Sequence, residues 1–76
     1  MIEWRSSWVV QGRAVGEGSS GELVPVRVGV VRTAVGDRFA CQIGDGKTVI
    51  LTDEGASRLI AHAREALAEK IQADPR

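Results

Sequence analysis

The stretch Val49-Ile50-Leu51-Thr52-Asp53-Glu54-Gly55-Ala56 decides the fold, because the spacing of apolar residues changes within it from two to about 3.6. Thr52 can cap the first turn of a helix with its hydroxyl, and Asp53 and Glu54 stand where the helix dipole favours negative charge. The residues that follow place one apolar stripe on such a helix: Ala56, Leu59, Ile60, Ala63, Leu67 and Ile71. The sequence therefore predicts an amphipathic helix over residues 53–73, with this stripe docked on a sheet.

Two short strands are predicted immediately before this helix. Residues 38–43 place Phe39, Cys41 and Ile43 on one face, and residues 47–51 are rich in β-branched side chains. The intervening Gly44-Asp45-Gly46 supplies the positive φ that a tight hairpin needs. These segments are predicted as the third and fourth strands.

A valine-rich segment, residues 23–35, is predicted as the second strand. Its valines at alternate positions share one face: Val24, Val26, Val28 and Val30. Pro25 has no N–H to give to a ladder, which predicts an edge at the beginning of this strand. Gly29 predicts a bend or a bulge.

The first strand is predicted over residues 2–11, followed by a flexible hairpin loop at residues 16–21. Trp4 and Trp8 are four residues apart, so we expect them on the same face, packed under the helix. The fold class predicted from the whole chain is α+β: an antiparallel sheet of about four strands followed by one C-terminal amphipathic helix, in the order ββββα. At 76 residues the chain has room for a single domain.

Composition argues against several classes of function. Ten Lys and Arg balance ten Asp and Glu, so the chain has no net charge to draw it to a polyanion. With one cysteine and one histidine, a single copy can form neither a disulfide nor a protein-only zinc site. We therefore expect no metal and no cofactor.

Two glycine-containing motifs resemble nucleotide-binding loops without their context. Gly16-Glu17-Gly18-Ser19-Ser20-Gly21 has the G-x-G-x-x-G spacing, but no helix follows it and no catalytic lysine or aspartates accompany it. Gly46-Lys47-Thr48 resembles the end of a P-loop, but Cys41 stands where that motif requires glycine. We interpret both as turns.

No catalytic set is indicated. Cys41 shares an apolar face with Phe39 and Ile43, where a thiol is usually inert, and His62 falls on the polar side of the helix near Arg58 and Glu65. A nucleophile and its base would also need a third group to orient them, and none is suggested. We therefore expect that the protein is not an enzyme.

Localisation is expected to be cytoplasmic. The first residues lack the basic and apolar regions of a signal peptide, and no apolar run approaches the roughly 18 residues of a membrane span. The wealth of Ala, Val, Gly and Arg is typical of a bacterium with a GC-rich genome or of its phage.

The order of four strands and one helix resembles the single-stranded nucleic-acid-binding architecture of the Pur proteins and of the positive-cofactor-type transcriptional coactivators. That resemblance implies a dimer formed through strand and helix, with nucleic acid on a curved sheet. The segment Leu51-Thr52-Asp53-Glu54-Gly55-Ala56 is also similar to the strand-to-helix junction of many small actinobacterial proteins of unknown function.

Two functions remain in competition. The first is a non-enzymatic protein-interaction module that forms a homodimer and binds an unidentified protein. Its candidate interface is apolar: Val24, Val26, Val28, Val30 and Ile60. The alternative is a single-stranded nucleic-acid-binding protein, which the neutral net charge does not favour. Its candidate contacts are aromatic and basic: Trp4, Arg5, Trp8, Arg27 and Arg32.

Overall fold

A computed structural model describes residues 2–17 and 21–73 of the chain. Strand β1 covers Glu3–Ala14, β2 covers Glu22–Thr33, β3 covers Gly36–Ile43 and β4 covers Val49–Leu51. Helix α1 covers Asp53–Ala73, the range that the sequence indicates. Three residues of the predicted loop, 18–20, lie outside the described part.

The four strands form one antiparallel sheet in the order β1-β2-β3-β4, and the helix follows it. The predicted ββββα fold class is therefore confirmed. β1 and β2 each have 12 residues and pair along their whole length, which extends the first strand beyond the predicted residue 11 to Ala14. β3 pairs with β2 from Val26 opposite Ile43 to Thr33 opposite Gly36.

A β-bulge in β1 corrects the expected placement of the two tryptophans. Trp4 pairs with Val31 and Ser6 with Val30, so Arg5 is an extra residue in β1. The extra residue reverses the alternation of side chains, and Trp4 and Trp8 consequently lie on opposite faces of the sheet. Arg27, which shares the face of Val31, stands over the Trp4 ring at 5.4 Å.

Gly29 does not form the bulge that the sequence predicts at its own position. It pairs with Ser7 on one side and Ala40 on the other, and it is buried. A Cβ atom added to it would lie 2.7 Å from the Cα atom of Ser7. Glycine is required here because the backbones of β1 and β2 approach too closely for a side chain.

Pro25 lies where β2 has a ladder partner on one side only, as the sequence predicts. β3 pairs with β2 no further than Val26, and the Pro25 carbonyl accepts a hydrogen bond from the Gly44 N–H at 2.8 Å. In a strand, the N–H and C=O of one residue point to the same side. The N–H that proline lacks would therefore point away from β1, so the ladder with β1 loses no hydrogen bond.

A single residue, Thr52, joins β4 to α1 and caps the helix. Its hydroxyl oxygen accepts a hydrogen bond from the Gly55 N–H at 3.2 Å, and its carbonyl accepts one from the Ala56 N–H at 2.8 Å. The first bond satisfies a donor that the first turn would otherwise leave unpaired, and the second is the first backbone hydrogen bond of the helix. The short link also sets the direction in which the helix leaves the sheet.

The core of the described chain is very small, and the helix stripe is not part of it. Val31 and Ala40 are fully buried on the face that carries Trp4, and Ala56 in the first helical turn is 7% exposed. Beyond that turn every described residue of α1 is exposed. The expectation that the stripe docks on its own sheet is therefore wrong, because the helix diverges from the sheet after its first turn.

Candidate interaction surface

One face of the sheet is apolar from edge to edge, and we call it the valine face. Cross-strand partners in an antiparallel sheet project their side chains to the same face, so the register identifies its members. They are Trp8 and Val10 of β1, Val24, Val26, Val28 and Val30 of β2, Phe39, Cys41 and Ile43 of β3, and Val49 and Leu51 of β4. These side chains form continuous rows across the strands, such as Trp8–Val28–Cys41–Val49.

The valine face is uncovered. None of its eleven side chains is buried, and four of them, Trp8, Val10, Ile43 and Val49, are between 51% and 65% exposed. No charged side chain interrupts the face between Ser6 and Gly12 of β1 or between Val24 and Val30 of β2. Continuous exposed apolar surfaces are uncommon on monomeric proteins, which makes the valine face a candidate interaction surface.

Charged residues border the valine face at one end. Arg5 at the bulge bonds to Asp37 with an Nη1–Oδ2 distance of 3.0 Å, and Arg32 pairs with Glu3 with an Nε–Oε2 distance of 3.5 Å. All four side chains are exposed, so these pairs add little to stability. An apolar centre with a polar, balanced margin is the usual anatomy of a protein interface.

The helix carries a second uncovered apolar surface, the helix stripe, which comprises Leu59, Ile60, Ala63, Leu67 and Ile71. Its four large side chains are between 44% and 59% exposed. Arg58 and Glu54 form an ion pair at 2.9 Å on the opposite side of the helix, which is therefore the solvated side. Ala56, in the first turn on the same side of the helix, is the one residue of α1 that the fold buries.

The five candidate nucleic-acid contacts do not form one cluster. Trp4 and Arg27 contact each other on the face opposite the valine face, whereas Trp8 lies on the valine face itself. Arg5 and Arg32 are both paired with carboxylates at the margin. This division could not be predicted from the sequence, because it depends on the bulge at Arg5.

Four of the five candidate interface residues share one surface, and the fifth, Ile60, lies on another. Val24, Val26, Val28 and Val30 lie side by side on β2 at the centre of the valine face, all half-buried. Ile60 is on the helix stripe and is 46% exposed. β1, β3 and β4 add further apolar side chains around these valines, and only the strand register identifies them.

Cys41 and His62 occupy separate environments. The Cys41 thiol is half-buried in the middle of the valine face. His62 lies on the exposed side of the helix, where its Nδ1 is 3.9 Å from Glu65 Oε2. Within residues 2–17 and 21–73, no cluster of three or more His, Cys, Asp or Glu could hold a metal ion, and no enclosed pocket is found.

Comparison with known proteins adds no relative: no family model, no curated protein and no solved structure matches this chain. The fold itself defines the class, an α+β protein with a four-stranded antiparallel meander and one C-terminal helix. In the part of the chain that the structure describes, no helix is long and apolar enough to cross a membrane.

Proposed function

We propose that this protein is a non-enzymatic protein-interaction module that functions as a homodimer in the cytoplasm. The observation that carries the proposal is the pair of uncovered apolar surfaces, the valine face and the helix stripe. A sheet face or a helix stripe of this composition is stable only when another element covers it. Within one chain the helix covers the sheet through its first turn alone.

The exposed area of the chain is larger than that of a compact monomer, as expected for a chain that buries surface against a second copy. A compact monomer of 8.1 kDa exposes about 4,500 Å², whereas this chain exposes 6329 Å². The excess of roughly 1,800 Å² per chain lies within the range of about 1,000–2,500 Å² that each partner buries in obligate dimers. The radius of gyration, 14.7 Å, likewise exceeds the value of about 11 Å for a compact chain of this length.

A second copy is the partner that this surface favours. The valine face has no charge pattern to select a charged partner, and the margin of Glu3, Arg5, Arg32 and Asp37 has as many positive as negative groups. An isologous contact brings the same apolar surface from both copies, which suits a surface without charge. Obligate homodimer interfaces are also more apolar than other interfaces.

Sedimentation equilibrium tests the proposal. We expect the wild-type protein to have twice the mass of the chain at about 100 micromolar, and to dissociate on dilution. A chain that sediments as a monomer at that concentration, and that unfolds cooperatively, would contradict the dimer. The unidentified further partner would then have to bind the monomer.

Binding of single-stranded oligonucleotides distinguishes this function from its alternative. Phosphate contacts release counterions, so a nucleic-acid binder loses affinity steeply as salt is raised. An apolar protein interface does not. We expect little oligonucleotide binding at about 150 millimolar salt, the ionic strength at which charges separated by more than about 8 Å are screened.

A further inference from the structure

Helix α1 leaves its own sheet after the first turn, so no part of the same chain covers the helix stripe among the described residues. α1 begins one residue after β4 and contacts only β3 and β4, while Leu59 and every residue after it are exposed. The capping bonds at Thr52 hold the first turn of the helix, and beyond that turn the helix does not pack on its own valine face. Each copy therefore presents an apolar stripe and, separately, an apolar sheet.

The two surfaces match in size and in character. The stripe from Leu59 to Ile71 is about 18 Å long, and the outer strands of a four-stranded sheet lie about 14 Å apart. A helix laid across the sheet can therefore contact all four strands. Both surfaces are uncharged at their centres, and the charged side chains lie on the outer side of the helix and at the end of the sheet.

This inference rests on the dimer proposed above. We propose that the two copies dock reciprocally: the helix stripe of each copy lies on the valine face of the other. This one arrangement covers both surfaces of both chains. A contact of sheet against sheet would leave the two stripes exposed, and a contact of helix against helix would leave the two sheets exposed. Reciprocal docking completes between two chains the helix-on-sheet layer that one chain leaves open.

Two single substitutions provide the test. Val10→Glu places a charge on the valine face, and Leu67→Glu places one on the helix stripe, at side chains that are 64% and 59% exposed in the chain. Both variants should therefore fold as single chains, yet each should dimerise at least about tenfold more weakly, because a buried unpaired charge is costly. Matched controls are Val9→Glu, on the opposite face of β1, and Ala61→Glu, on the solvated side of α1, and neither should change dimerisation.

Mixing the two variants identifies the geometry. In a mixed dimer, the intact helix of the Val10→Glu copy meets the intact sheet of the Leu67→Glu copy, which restores one of the two contacts. We expect the equimolar mixture to dimerise at least about tenfold more tightly than either variant alone, since the homodimers contain two damaged contacts each. Sedimentation equilibrium measures the dimer dissociation constant of each variant alone and of their equimolar mixture. If circular dichroism shows that either variant is unfolded, Val10→Ser and Leu67→Ser take their place.

Cys41 supplies an independent readout because it lies within the valine face. Its thiol should react with a chromogenic disulfide reagent more slowly in the wild-type dimer than in either glutamate variant. A wild-type monomer would overturn the dimer and with it this arrangement. A wild-type dimer that survives one of the two substitutions, that shows no recovery on mixing, or that leaves Cys41 as reactive as in the variants, would overturn reciprocal docking alone.

Discussion

At the scale of single residues, the most constrained position is Gly29, where two strand backbones approach closely. An alanine Cβ there would lie 2.7 Å from the Ser7 Cα, a backbone atom that cannot move without shifting β1. We expect Gly29→Ala to lower the free energy of unfolding by about 1–3 kcal/mol, the usual cost of overpacking. The free energy of unfolding is measured by urea denaturation monitored by circular dichroism.

Gly12→Ala is the matched control for that substitution. Gly12 lies on the valine face of β1, and an added Cβ would meet the Val26 side chain at 3.3 Å and no backbone atom closer than 3.8 Å. A side chain can adjust where a backbone cannot, so we expect a change within about 0.5 kcal/mol. Equal losses at the two glycines would show that the close approach at Gly29 is not what requires glycine.

At the scale of secondary-structure elements, the helix is held to its own sheet by one turn. Leu67 is 59% exposed, so Leu67→Ala should cost the single chain less than about 1 kcal/mol. If the stripe docks on a partner, the same substitution should cost about 2–5 kcal/mol in the dimer, the range for truncation of a buried leucine. The comparison is made by unfolding both proteins at about 1 and about 100 micromolar.

The dependence of the Leu67→Ala stability loss on protein concentration shows whether Leu67 is buried between chains or within one chain. A loss of stability that grows with protein concentration places Leu67 in an interface between chains. A loss of about 2 kcal/mol or more that is the same at both concentrations would mean that the stripe is buried within one chain, contrary to the exposure described above.

At the scale of the whole molecule, dimer formation couples stability to concentration. The described core consists of few residues, with Val31, Ala40 and Ala56 the buried apolar ones, so most of the burial should come from the partner. We expect the melting temperature of the wild type to rise with protein concentration. Ile60→Glu and Val28→Glu should remove that dependence, either by releasing a monomer or by unfolding the chain.

Arg58→Glu is the control for Ile60→Glu, since Arg58 lies on the solvated side of the helix and its side chain is 73% exposed. It removes the ion pair with Glu54, which as an exposed pair contributes little. Its melting temperature should keep the dependence on concentration. A wild-type melting temperature that is constant over a hundredfold dilution would contradict the coupling.

The sequence by itself determined the elements of this protein. The change of period at Thr52, the alternating valines of β2 and the turn at Gly44 are local signals, and local signals suffice to predict the ββββα order and the bounds of α1. The sequence also predicted that Val24, Val26, Val28 and Val30 share a face, because the alternation of side chains is a property of any strand.

Only the tertiary structure decided how those elements are arranged. The bulge at Arg5, which separates Trp4 from Trp8, depends on the pairing of β1 with β2, and no residue type at that position requires it. The exposure of the helix stripe depends on the angle at which α1 leaves β4. An amphipathic pattern indicates that a helix needs an apolar surface to cover its stripe, but it does not indicate which chain supplies that surface.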